Sequence, residues 1–571
     1  MNAAARTLLP PPAAGRPAWR VLDTRFDATR LFALWQAWRD ETQHPRVLHL
    51  VALTVSPPSA EALRAMATPG QAALADELAA QWTGLLPGMH RLSLAQGRLQ
   101  LTLCIGELQT LLREQQFEAD AVFLDSTQPW DRWSLKALAR CCRRGTQLAF
   151  DTLTPDLHKL LPESGFVLET NHGRYDPLWD LKTSRETLRT EATTPGNCVV
   201  IGAGLAGASV AAALARRGWL VEVLDAAPEP AAGASGLPAG LLVPHVSVDD
   251  SPRSRLTRAG LRLMRAEAQR LLQAGQDWDT SGVLEQRLDG NPGLPAHWHA
   301  EGQQITHQAP TGTEPWRTGM AAMPALWHAH AAWIKPARLV QAWLKHSGVS
   351  FRGHTKVDRL QRAGTQWQLL DREGRLLASA SHVVLANAAD APRLLAPLGL
   401  DVALPPLQEM RGVMSCGLRQ PGDEAALPPF PVNGLGSLIP AVPIEDGLAW
   451  YAGATYEDAT QPPALASEHH QVNLDKLRTL LPAAAQVLAA SFAPGAARGW
   501  GGTRCVSADR LPLVGPLEEG LQPTLWISAA MGSRGLSFAM LCAELLAARL
   551  GAEPWPVETS LSKSLDVWRR S

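Results

Sequence analysis

The chain has 571 residues, a length that favours about three or four structural units with well-buried cores. Its formal net charge of −1 excludes RNA binding driven by overall charge, so any contact with nucleic acid must come from local basic patches. Seven cysteines without a CxxC pair argue against a disulfide frame or a zinc motif and indicate reduced cytosolic thiols. We therefore expect no metal. The N-terminus has no apolar segment typical of a secretory signal, so we expect a cytoplasmic protein with no membrane anchor.

The first part of the chain alternates strand and helix patterns. Residues 1–18 are rich in proline and alanine and are expected to be disordered. The apolar patterns that follow predict strands at 18–23, 49–55, 99–104, 121–125 and 146–150, and helices at 29–38, 59–66, 72–86 and 134–142. This alternation is typical of a parallel-sheet α/β domain, which we place at 19–182. The polar segment 183–196 ends in Pro-Gly and is interpreted as a linker.

A glycine-rich turn after this linker is the clearest motif. The apolar run 198–201 leads into Gly202-Ala203-Gly204-Leu205-Ala206-Gly207, and a helix pattern and a second apolar run then end at Asp225. Gly202 permits a tight turn, Gly204 lets backbone N–H groups approach a pyrophosphate, and Gly207 allows the helix to pack closely on the strand. The acid follows where a carboxylate would meet a ribose hydroxyl. The pattern predicts a dinucleotide site; the alternative is a glycine-rich turn in another α/β fold.

The rest of the chain predicts an interrupted nucleotide-binding domain. An amphipathic helix is expected at 255–272, and strands are expected at 357–360 and 382–388. We place a substrate subdomain mainly at 276–330 and 404–500, because the first segment has little periodicity and the second begins with antiparallel strand patterns. Near the end, a strand at 525–529 leads into Gly532-Ser533-Arg534-Gly535-Leu536 and a helix at 537–550.

These segments resemble, in the same order, the D-amino-acid-oxidase and glycine-oxidase family of FAD enzymes. The shared motifs are the glycine turn, GASG at 233–236, VVLANA at 383–388, GxRxxxxDxxPxxG ending at Gly515, and the last glycine loop. The resemblance covers about 197–555. It implies that 197–571 is a FAD-binding Rossmann domain with an inserted antiparallel-sheet substrate domain, in a chain that is α/β overall. The implied FAD contacts are Gly202, Ala203, Gly204, Leu205, Ala206, Gly207, Asp225, Ala234, Ser235, Gly236, Gly240, Val357, Ala386, Gly532, Ser533, Gly535 and Leu536.

Finer details resemble the MnmC family of bifunctional tRNA-modifying enzymes. The segments GASGLPAGLLVPHVS, TRCVSADRLPLVG and AAMGSRGLSFAMLCAELLAA are similar to its C-terminal half, and LFALWQAW and ADAVFLDSTQPWDRW to its N-terminal half. The resemblance implies that the FAD half removes the carboxymethyl group of 5-carboxymethylaminomethyl-2-thiouridine at the tRNA wobble position, releasing glyoxylate and leaving 5-aminomethyl-2-thiouridine. It also implies an N-terminal half, similar to a Rossmann-like methyltransferase, that methylates the exposed amine with S-adenosylmethionine (SAM).

The N-terminal half departs from that family where SAM would bind. Phe26-Asp27-Ala28-Thr29 replaces a glycine-rich turn, and Thr54 stands where the family has an acid for the ribose. Without glycines the backbone cannot approach the cofactor as closely, and Asp27 would face its carboxylate. Ser126-Thr127-Gln128 also shortens the segment after Asp125, the counterpart of the family's catalytic acid. These departures predict a methyltransferase-like domain that has lost SAM binding; Asp125 is either a retained catalytic group or only a strand-end residue.

Arginine is the side chain best suited to hold the substrate carboxylate, because its planar fork pairs with both oxygens. The family resemblance assigns this role to Arg504 and Arg534, with a structural ion pair as the alternative for each. Tyr451 and Tyr456 lie on predicted substrate-domain strands. Lining the pocket is one role open to them, and core packing is the expected role for either.

Basic residues near the predicted helix 255–272 provide the local charge that could meet RNA. A solvated helix face is the expected interpretation of this run, which comprises Arg253, Arg255, Arg258, Arg262, Arg265 and Arg270. The tRNA partner is therefore implied by the resemblance, and the charge only permits it. Two other functions stay open: a FAD-dependent oxidase of free glycine or D-amino acids, and an N-terminal module that binds tRNA or positions the FAD domain.

Overall fold

The computed structural model describes residues 17–41, 44–180, 192–400, 404–493 and 495–569. The predicted disorder at 1–16 and the predicted linker at 183–191 lie outside these ranges. Residues 17 and 18, which we had placed in the disordered segment, belong instead to the folded domain. The Pro17 carbonyl accepts a hydrogen bond from the Arg46 amide at 3.0 Å, and Ala18 is the first, buried residue of a strand. The strand predicted at 18–23 is therefore confirmed with its bounds unchanged, and only the disorder expected up to residue 18 ends too late.

The N-terminal region is a twisted sheet covered by helices on both faces. Its strands are β1 (Ala18–Asp23), β2 (Val47–Thr54), β3 (Gly88–Leu94), β4 (Leu99–Ile105), β5 (Ala119–Phe123), β6 (Cys142–Ala149), β7 (Phe166–Leu168) and β8 (His172–Tyr175). Its helices are α1 (Ala28–Asp40), α2 (Ala60–Met66), α3 (Ala72–Ala80), α4 (Leu108–Arg113), α5 (Arg132–Arg140) and α6 (Pro155–Glu163). The strand order is β3-β4-β2-β1-β5-β6-β8-β7, and the five strands from β4 to β6 run parallel. Val21 and Leu22 enter different apolar clusters, as expected for a strand buried on both faces.

The remaining strands form the nucleotide-binding sheet, a large mixed sheet and two small ones. They are β9 (Asn197–Ile201), β10 (Leu220–Leu224), β11 (Gly240–Leu242), β12 (Trp278–Asp279), β13 (Val283–Gln286), β14 (Thr306–Gln308), β15 (Ala325–His328), β16 (Ala332–Ile334), β17 (Val349–Arg352), β18 (Arg359–Ala363), β19 (Gln366–Leu370), β20 (Leu376–Ala380), β21 (His382–Leu385), β22 (Leu407–Leu418), β23 (Val432–Gly434), β24 (Gly436–Ile444), β25 (Gly447–Gly453), β26 (Glu457–Asp458), β27 (Arg498–Ser507), β28 (Leu513–Pro516) and β29 (Leu525–Ala529). The helices are α7 (Leu205–Arg216), α8 (Pro252–Leu271), α9 (Ala300–Gln303), α10 (Pro336–Leu344), α11 (Ala391–Leu395), α12 (Ala466–Leu480), α13 (Pro482–Leu488), α14 (Gly535–Leu550) and α15 (Thr559–Lys563).

The nucleotide-binding sheet has the order β17-β10-β9-β21-β29-β28, and only β28 runs antiparallel to its neighbour. The large mixed sheet joins β13, β14 and β15 to β22–β27, and it carries most of the region where we expected a substrate subdomain. We call it the substrate sheet. Helix α14 packs against α7 and α8 and is buried from Leu536 to Leu550, which explains its almost uninterrupted apolar sequence.

Several predicted elements have different bounds in the structure; the helix expected at 72–86, for example, ends at Ala80. The helix expected at 134–142 stops at Arg140, because Cys142 begins β6 and pairs with Ala119 of β5. The strand expected at 357–360 begins only at Arg359, which pairs with Leu370. Val357 is buried in an apolar cluster without being part of a strand, so its apolar character reports burial rather than strand pairing.

A buried ionic network joins the N-terminal domain to the nucleotide-binding domain. Arg217, at the end of α7, donates to the carboxylates of Glu544 (2.9 Å) and Glu553 (2.8 Å). Across the interface, His49 Nε2 of β2 lies 3.1 Å from Glu553. Burial lowers the pKa of His49 and favours its neutral form. Burial alone would raise the pKa of Glu553, but Arg217 and then His49 hold it well below its usual range.

Backbone carbonyls of the segment after α14 complete this interface. Arg20 of β1 donates to the Ala552 carbonyl at 2.7 Å, and Arg91 of β3 donates to the Pro554 carbonyl at 2.5 Å. These side chains are largely buried, so the two domains are held together by desolvated, hydrogen-bonded charges rather than by an open surface contact.

Candidate functional site

The glycine turn has the shape that a dinucleotide requires. Gly202 follows β9 with φ +107°, and a Cβ there would lie 2.6 Å from the Ala386 carbonyl oxygen. A Cβ on Gly207 would lie 1.8 Å from the Gly202 carbonyl oxygen, so α7 can pack this closely only with glycine. Gly204 caps α7, which points the amino end of the helix at the carboxyl edge of the sheet.

Asp225 and Ser235 hold this turn in place. The Ala203 amide donates to Asp225 Oδ2 at 2.7 Å, and the Ala227 amide donates to Asp225 Oδ1 at 2.8 Å. The Leu205 amide donates to Ser235 Oγ at 2.9 Å. Each carboxylate oxygen has a second lone pair, so Asp225 can fix the turn and still accept a ribose hydroxyl.

The other residues implied as FAD contacts lie around this edge. Ala206 is in the first turn of α7; Ala234, Ser235 and Gly236 form a short 3₁₀ turn; and Gly240 opens β11. Val357 lies between β17 and β18, and Ala386 directly follows β21. Gly532 and Ser533 form a 3₁₀ turn that continues through Gly535 and Leu536 into α14.

One buried polar atom at this edge lacks a partner. Within the described ranges, Asn387 Oδ1 is buried without a hydrogen-bond donor. Its backbone lies beside the Gly202 turn, because a Cβ on Gly202 would be 3.0 Å from the Asn387 amide nitrogen. The glycine cradle, the acid and this orphan acceptor fit a bound dinucleotide.

A cavity of about 370 Å³ lies between the substrate sheet and the glycine loop that precedes α14. Its lining residues are Gly434, Gly436, Tyr456, Val506, Arg510, Met531, Gly532, Ser533 and Arg534. A cavity shared by the substrate sheet and a cofactor loop is the expected place for a small reacting group.

Two arginines, one lining this cavity and one next to it, form no ion pair among the described residues. Arg534 lines the cavity, and Arg504 of β27 has its guanidinium 6.0 Å from the centre of the Tyr456 ring. Neither side chain has a hydrogen-bond or ion-pair partner in the part of the chain that the structure describes. Burial lowers the pKa of both guanidinium groups. At Arg534 the charge of Arg253 lowers the pKa further, Glu285 raises it, and Arg510 lowers it again. Desolvated cations without partners are poised to bind an anion.

The two tyrosines considered from sequence have different positions. Tyr451 is buried in an apolar cluster with Trp333 and Met414, which agrees with the expected core role. Tyr456 is 44% exposed and lines the cavity, so the expectation of core packing was wrong for this residue. Position 456 lies between β25 and β26, where the chain leaves the core of the sheet.

Sequence reasoning missed His245 beside Arg534. Its Nδ1 lies 2.9 Å from Ser254 Oγ. Burial lowers the pKa of His245 to about 4, and the charges of Arg534 and Arg253 add to this effect. The ring is therefore neutral near pH 7. The VPHVS motif carried this signal, because it places a histidine in a segment that resembles the family.

At the N-terminal sheet, the edge that would hold SAM is occupied by ion pairs. The switch point of the strand order lies between β1 and β5, where such sheets bind ligands. There the Arg30 guanidinium lies 3.4 Å from the centre of the Phe123 ring, and Arg30 Nε is 3.4 Å from Asp23 Oδ2. Burial raises the pKa of Asp23 to about 7, although Arg30 opposes the shift.

The positions that depart from the methyltransferase pattern, and the retained Asp125, each have a partner close by. Asp27 caps α1 by accepting from the Thr29 amide at 2.8 Å, so its charge stabilises a helix end. Thr54 Oγ1 donates to the Ser56 carbonyl at 3.0 Å. Asp125 pairs with Arg25 at 3.4 Å. Partial burial would raise the pKa of Asp125, but hydrogen bonds from Thr127 and the Arg25 charge hold it below its usual value.

Most arginines of α8 do not form the solvated face expected from sequence. Arg262 donates to the Gln81 and Thr83 carbonyls of the N-terminal domain at 2.6 Å each. Arg255 pairs with Glu558 at 2.8 Å, and Arg258 pairs with Asp250. The expectation was wrong because Arg255 and Arg262 find acceptors far away in the sequence and Arg258 pairs with an acid in the loop just before the helix.

No membrane or metal feature was found in the parts of the chain described. None of the helices in ranges 17–41, 44–180, 192–400, 404–493 and 495–569 is long and apolar enough to cross a membrane. The same residues include no cluster of three or more His, Cys, Asp or Glu side chains placed to hold a metal ion.

Comparison with known proteins identifies both halves. A family model described as FAD dependent oxidoreductase matches residues 197–549, and one described as S-adenosyl-L-methionine-dependent methyltransferase matches 69–174. The methyltransferase match begins beyond the segment 26–29 and beyond Thr54.

Full-length relatives and a solved structure agree with these matches. Two similar proteins are named tRNA 5-methylaminomethyl-2-thiouridine biosynthesis bifunctional protein MnmC. The protein of Polaromonas naphthalenivorans is 48% identical over 98% of this chain and 91% of its own length. That of Albidiferax ferrireducens is 45% identical over 97% of this chain and 93% of its own length. The glycine oxidase of Geobacillus kaustophilus shares the fold at 20% identity and a TM-score of 0.53, covering 66% of this chain and 100% of its own.

Proposed function

Because the chain belongs to the MnmC family of bifunctional tRNA 5-methylaminomethyl-2-thiouridine biosynthesis proteins, we propose that it removes the carboxymethyl group from 5-carboxymethylaminomethyl-2-thiouridine at the tRNA wobble position. Its C-terminal part is a FAD-dependent oxidoreductase. The products are 5-aminomethyl-2-thiouridine and glyoxylate. The observation that carries this proposal is a pair of arginines without hydrogen-bond or ion-pair partners among the described residues. Arg534 lines a cavity bounded by the glycine loop, and Arg504 lies against Tyr456, which lines the same cavity.

The protein groups perform binding and orientation. Arg504 and Arg534 hold the substrate carboxylate, since each supplies a planar set of donors in a desolvated position. Tyr456 lies against Arg504 and supports one wall of the cavity. His245 stays neutral beside Arg534, so it adds no positive charge there and can hydrogen-bond with the amine or water.

The glycine cradle and Asp225 would hold FAD at the carboxyl edge of the nucleotide-binding sheet. Bound FAD supplies the two-electron oxidation of the amine, and water then hydrolyses the oxidised C–N bond to release glyoxylate. Fixing the carboxylate at two points restricts the substrate to one orientation. This lowers the reaction barrier, because less entropy is then lost in reaching the transition state.

The N-terminal domain does not bind SAM in this proposal. Arg30, Phe123 and Asp23 fill the edge between β1 and β5, and Thr54 replaces the acid that would bind the ribose. Opening this cleft would break a buried ion pair and expose an aromatic ring. The domain instead supports the FAD domain through the His49, Arg91 and Arg20 contacts, and the reaction ends at the aminomethyl product.

The proposed partner is tRNA, and a tRNA substrate places the protein in the cytoplasm. The test uses purified holoprotein and tRNA that carries the carboxymethylaminomethyl group. Mass analysis of the nucleosides should show loss of that group, with one glyoxylate released per modified nucleoside. Oxidation of glycine or a D-amino acid in place of this tRNA would contradict the proposal and establish a free amino-acid oxidase.

A further inference from the structure

Arg510 projects from a tight turn at the rim of the substrate cavity. It is exposed, lines the cavity, and its backbone has φ +60°, a conformation that suits glycine or asparagine better than arginine. Among the residues with described positions, no acid or hydrogen-bond acceptor pairs with its side chain. An unpaired arginine held in an unfavourable backbone conformation at a binding cavity suggests that its side chain has a function.

The turn that carries Arg510 is rigid. Asp509 accepts hydrogen bonds from Arg569 Nε (2.8 Å) and Nη2 (3.0 Å), and Ser507 Oγ donates to Asp509 Oδ1 at 2.8 Å. Arg253 donates to the Asp509 carbonyl at 2.8 Å. The aspartate of the GxRxxxxDxxPxxG motif therefore fixes the turn rather than contacting the substrate, and the neighbouring arginine starts from a preorganised position.

The charges around the cavity leave Arg510 available for a second anion. Arg534 lines the same cavity and is less exposed than Arg510, and Arg504 lies beside Tyr456. The nearby acid Glu285 is already held by Arg287 at 2.7 Å and by His328 at 3.0 Å. If Arg534 and Arg504 hold the substrate carboxylate, as proposed above, the exposed Arg510 is left without a partner.

We propose that Arg510 binds a backbone phosphate of the RNA strand next to the wobble nucleotide, while that nucleotide's modified side chain enters the cavity. This inference rests on the proposed function and adds a specificity residue to it. An arginine fork matches phosphate oxygens and positions the strand without reading a base. A free amino acid has no such phosphate, so Arg510 favours tRNA over smaller amines.

The test compares tRNA with the isolated nucleoside on full-length holoprotein. The nucleoside 5-carboxymethylaminomethyl-2-thiouridine keeps the amine and the carboxylate but has no phosphodiester. Arg510→Asn removes the charge and tolerates the left-handed backbone, so the turn should be preserved. Arg510→Lys keeps the charge. Arg372→Ala serves as the matched control, because this exposed arginine lies on the turn between β19 and β20.

Anaerobic flavin reduction and tRNA binding across a salt series give the two readouts. For Arg510→Asn we expect the Kd for modified tRNA to rise about three- to tenfold and the slope of log Kd against log salt to fall by about 0.7, the loss of one single-strand phosphate contact. Flavin content should not change, and nucleoside oxidation should fall much less than the reaction with tRNA. Arg510→Lys should retain most of the affinity, and Arg372→Ala should behave as wild type.

Two results would overturn the assignment of Arg510. An unchanged salt slope in Arg510→Asn would show that it contacts no phosphate. An equal loss with tRNA and nucleoside would place it at the carboxymethyl group instead. Failure of the wild-type protein to oxidise the modified tRNA would refute the proposed function itself. This outcome differs from the two above because it needs no substitution at Arg510.

Discussion

Substitution of Gly207 by alanine tests whether the glycine turn is built for FAD. The added Cβ would lie 1.8 Å from the Gly202 carbonyl oxygen and 3.2 Å from Val200 Cγ1. The backbone oxygen cannot rotate away as a side chain could, so α7 must move off β9 by about 1.2 Å to reach the 3.0 Å limit of real contacts. Overpacking of this kind costs about 1–3 kcal/mol.

That movement displaces the helix amino end from the cofactor phosphates. If the whole cost falls on the bound state, FAD affinity drops roughly five- to 150-fold. Flavin absorbance per polypeptide after gel filtration, followed by FAD titration of the apoprotein, measures the effect. Gly196→Ala is the control, because its Cβ would meet only Ser381 Oγ at an ordinary 3.7 Å. Full flavin content and wild-type affinity in Gly207→Ala would refute the reasoning.

Four further predictions follow from the same structure. Alanine at Arg504 or Arg534 should leave FAD bound but weaken transition-state binding by about 2–4 kcal/mol, so that kcat/KM for modified tRNA falls roughly thirty- to a thousandfold. Wild-type turnover by both variants would exclude them as anchors. Arg217→Met removes the buried cation that pairs with Glu553 and should destabilise the protein by about 3–5 kcal/mol. A lower Tm in thermal unfolding would measure this loss. The pKa of Glu553 is depressed in the folded state, so its ionised carboxylate stabilises the fold above its unfolded pKa near 4.3, and this contribution is lost as pH falls through the lower folded pKa. In Glu553→Gln the thermal transition should therefore fall less steeply with decreasing pH than in the wild type. Titration calorimetry should detect no SAM binding, whereas micromolar affinity would mean that the edge around Arg30 opens.

Local sequence patterns predicted the parts of the fold that depend on neighbouring residues. The spacing from Gly202 to Asp225 specifies a strand, a turn, a helix and a second strand, and the structure contains each of them. The helix expected at 255–272 and the helix expected at 537–550 are also confirmed, with boundaries shifted by one to three residues. Capping explains one such shift, because Ser251 accepts from the Ser254 amide and starts α8 earlier.

Features that depend on partners far along the chain could not be predicted in this way. Arg217 finds Glu544 and Glu553 more than 300 residues later, and Arg262 finds carbonyls about 180 residues earlier. Arg510 and Tyr456 line the same cavity only because the fold brings β25–β27 next to the final glycine loop. Sequence pattern reports the burial or periodicity of such residues, and only the tertiary fold supplies their partners.

Nucleoside mass analysis of tRNA from a strain that lacks this protein tests the account most directly. The account predicts that 5-carboxymethylaminomethyl-2-thiouridine accumulates, and that restoring the wild-type chain alone converts it to 5-aminomethyl-2-thiouridine without the methylaminomethyl derivative. An unchanged nucleoside profile in the deletion strain would contradict the oxidoreductase assignment. A methylaminomethyl product that requires this chain's own N-terminal domain would contradict the loss of SAM binding.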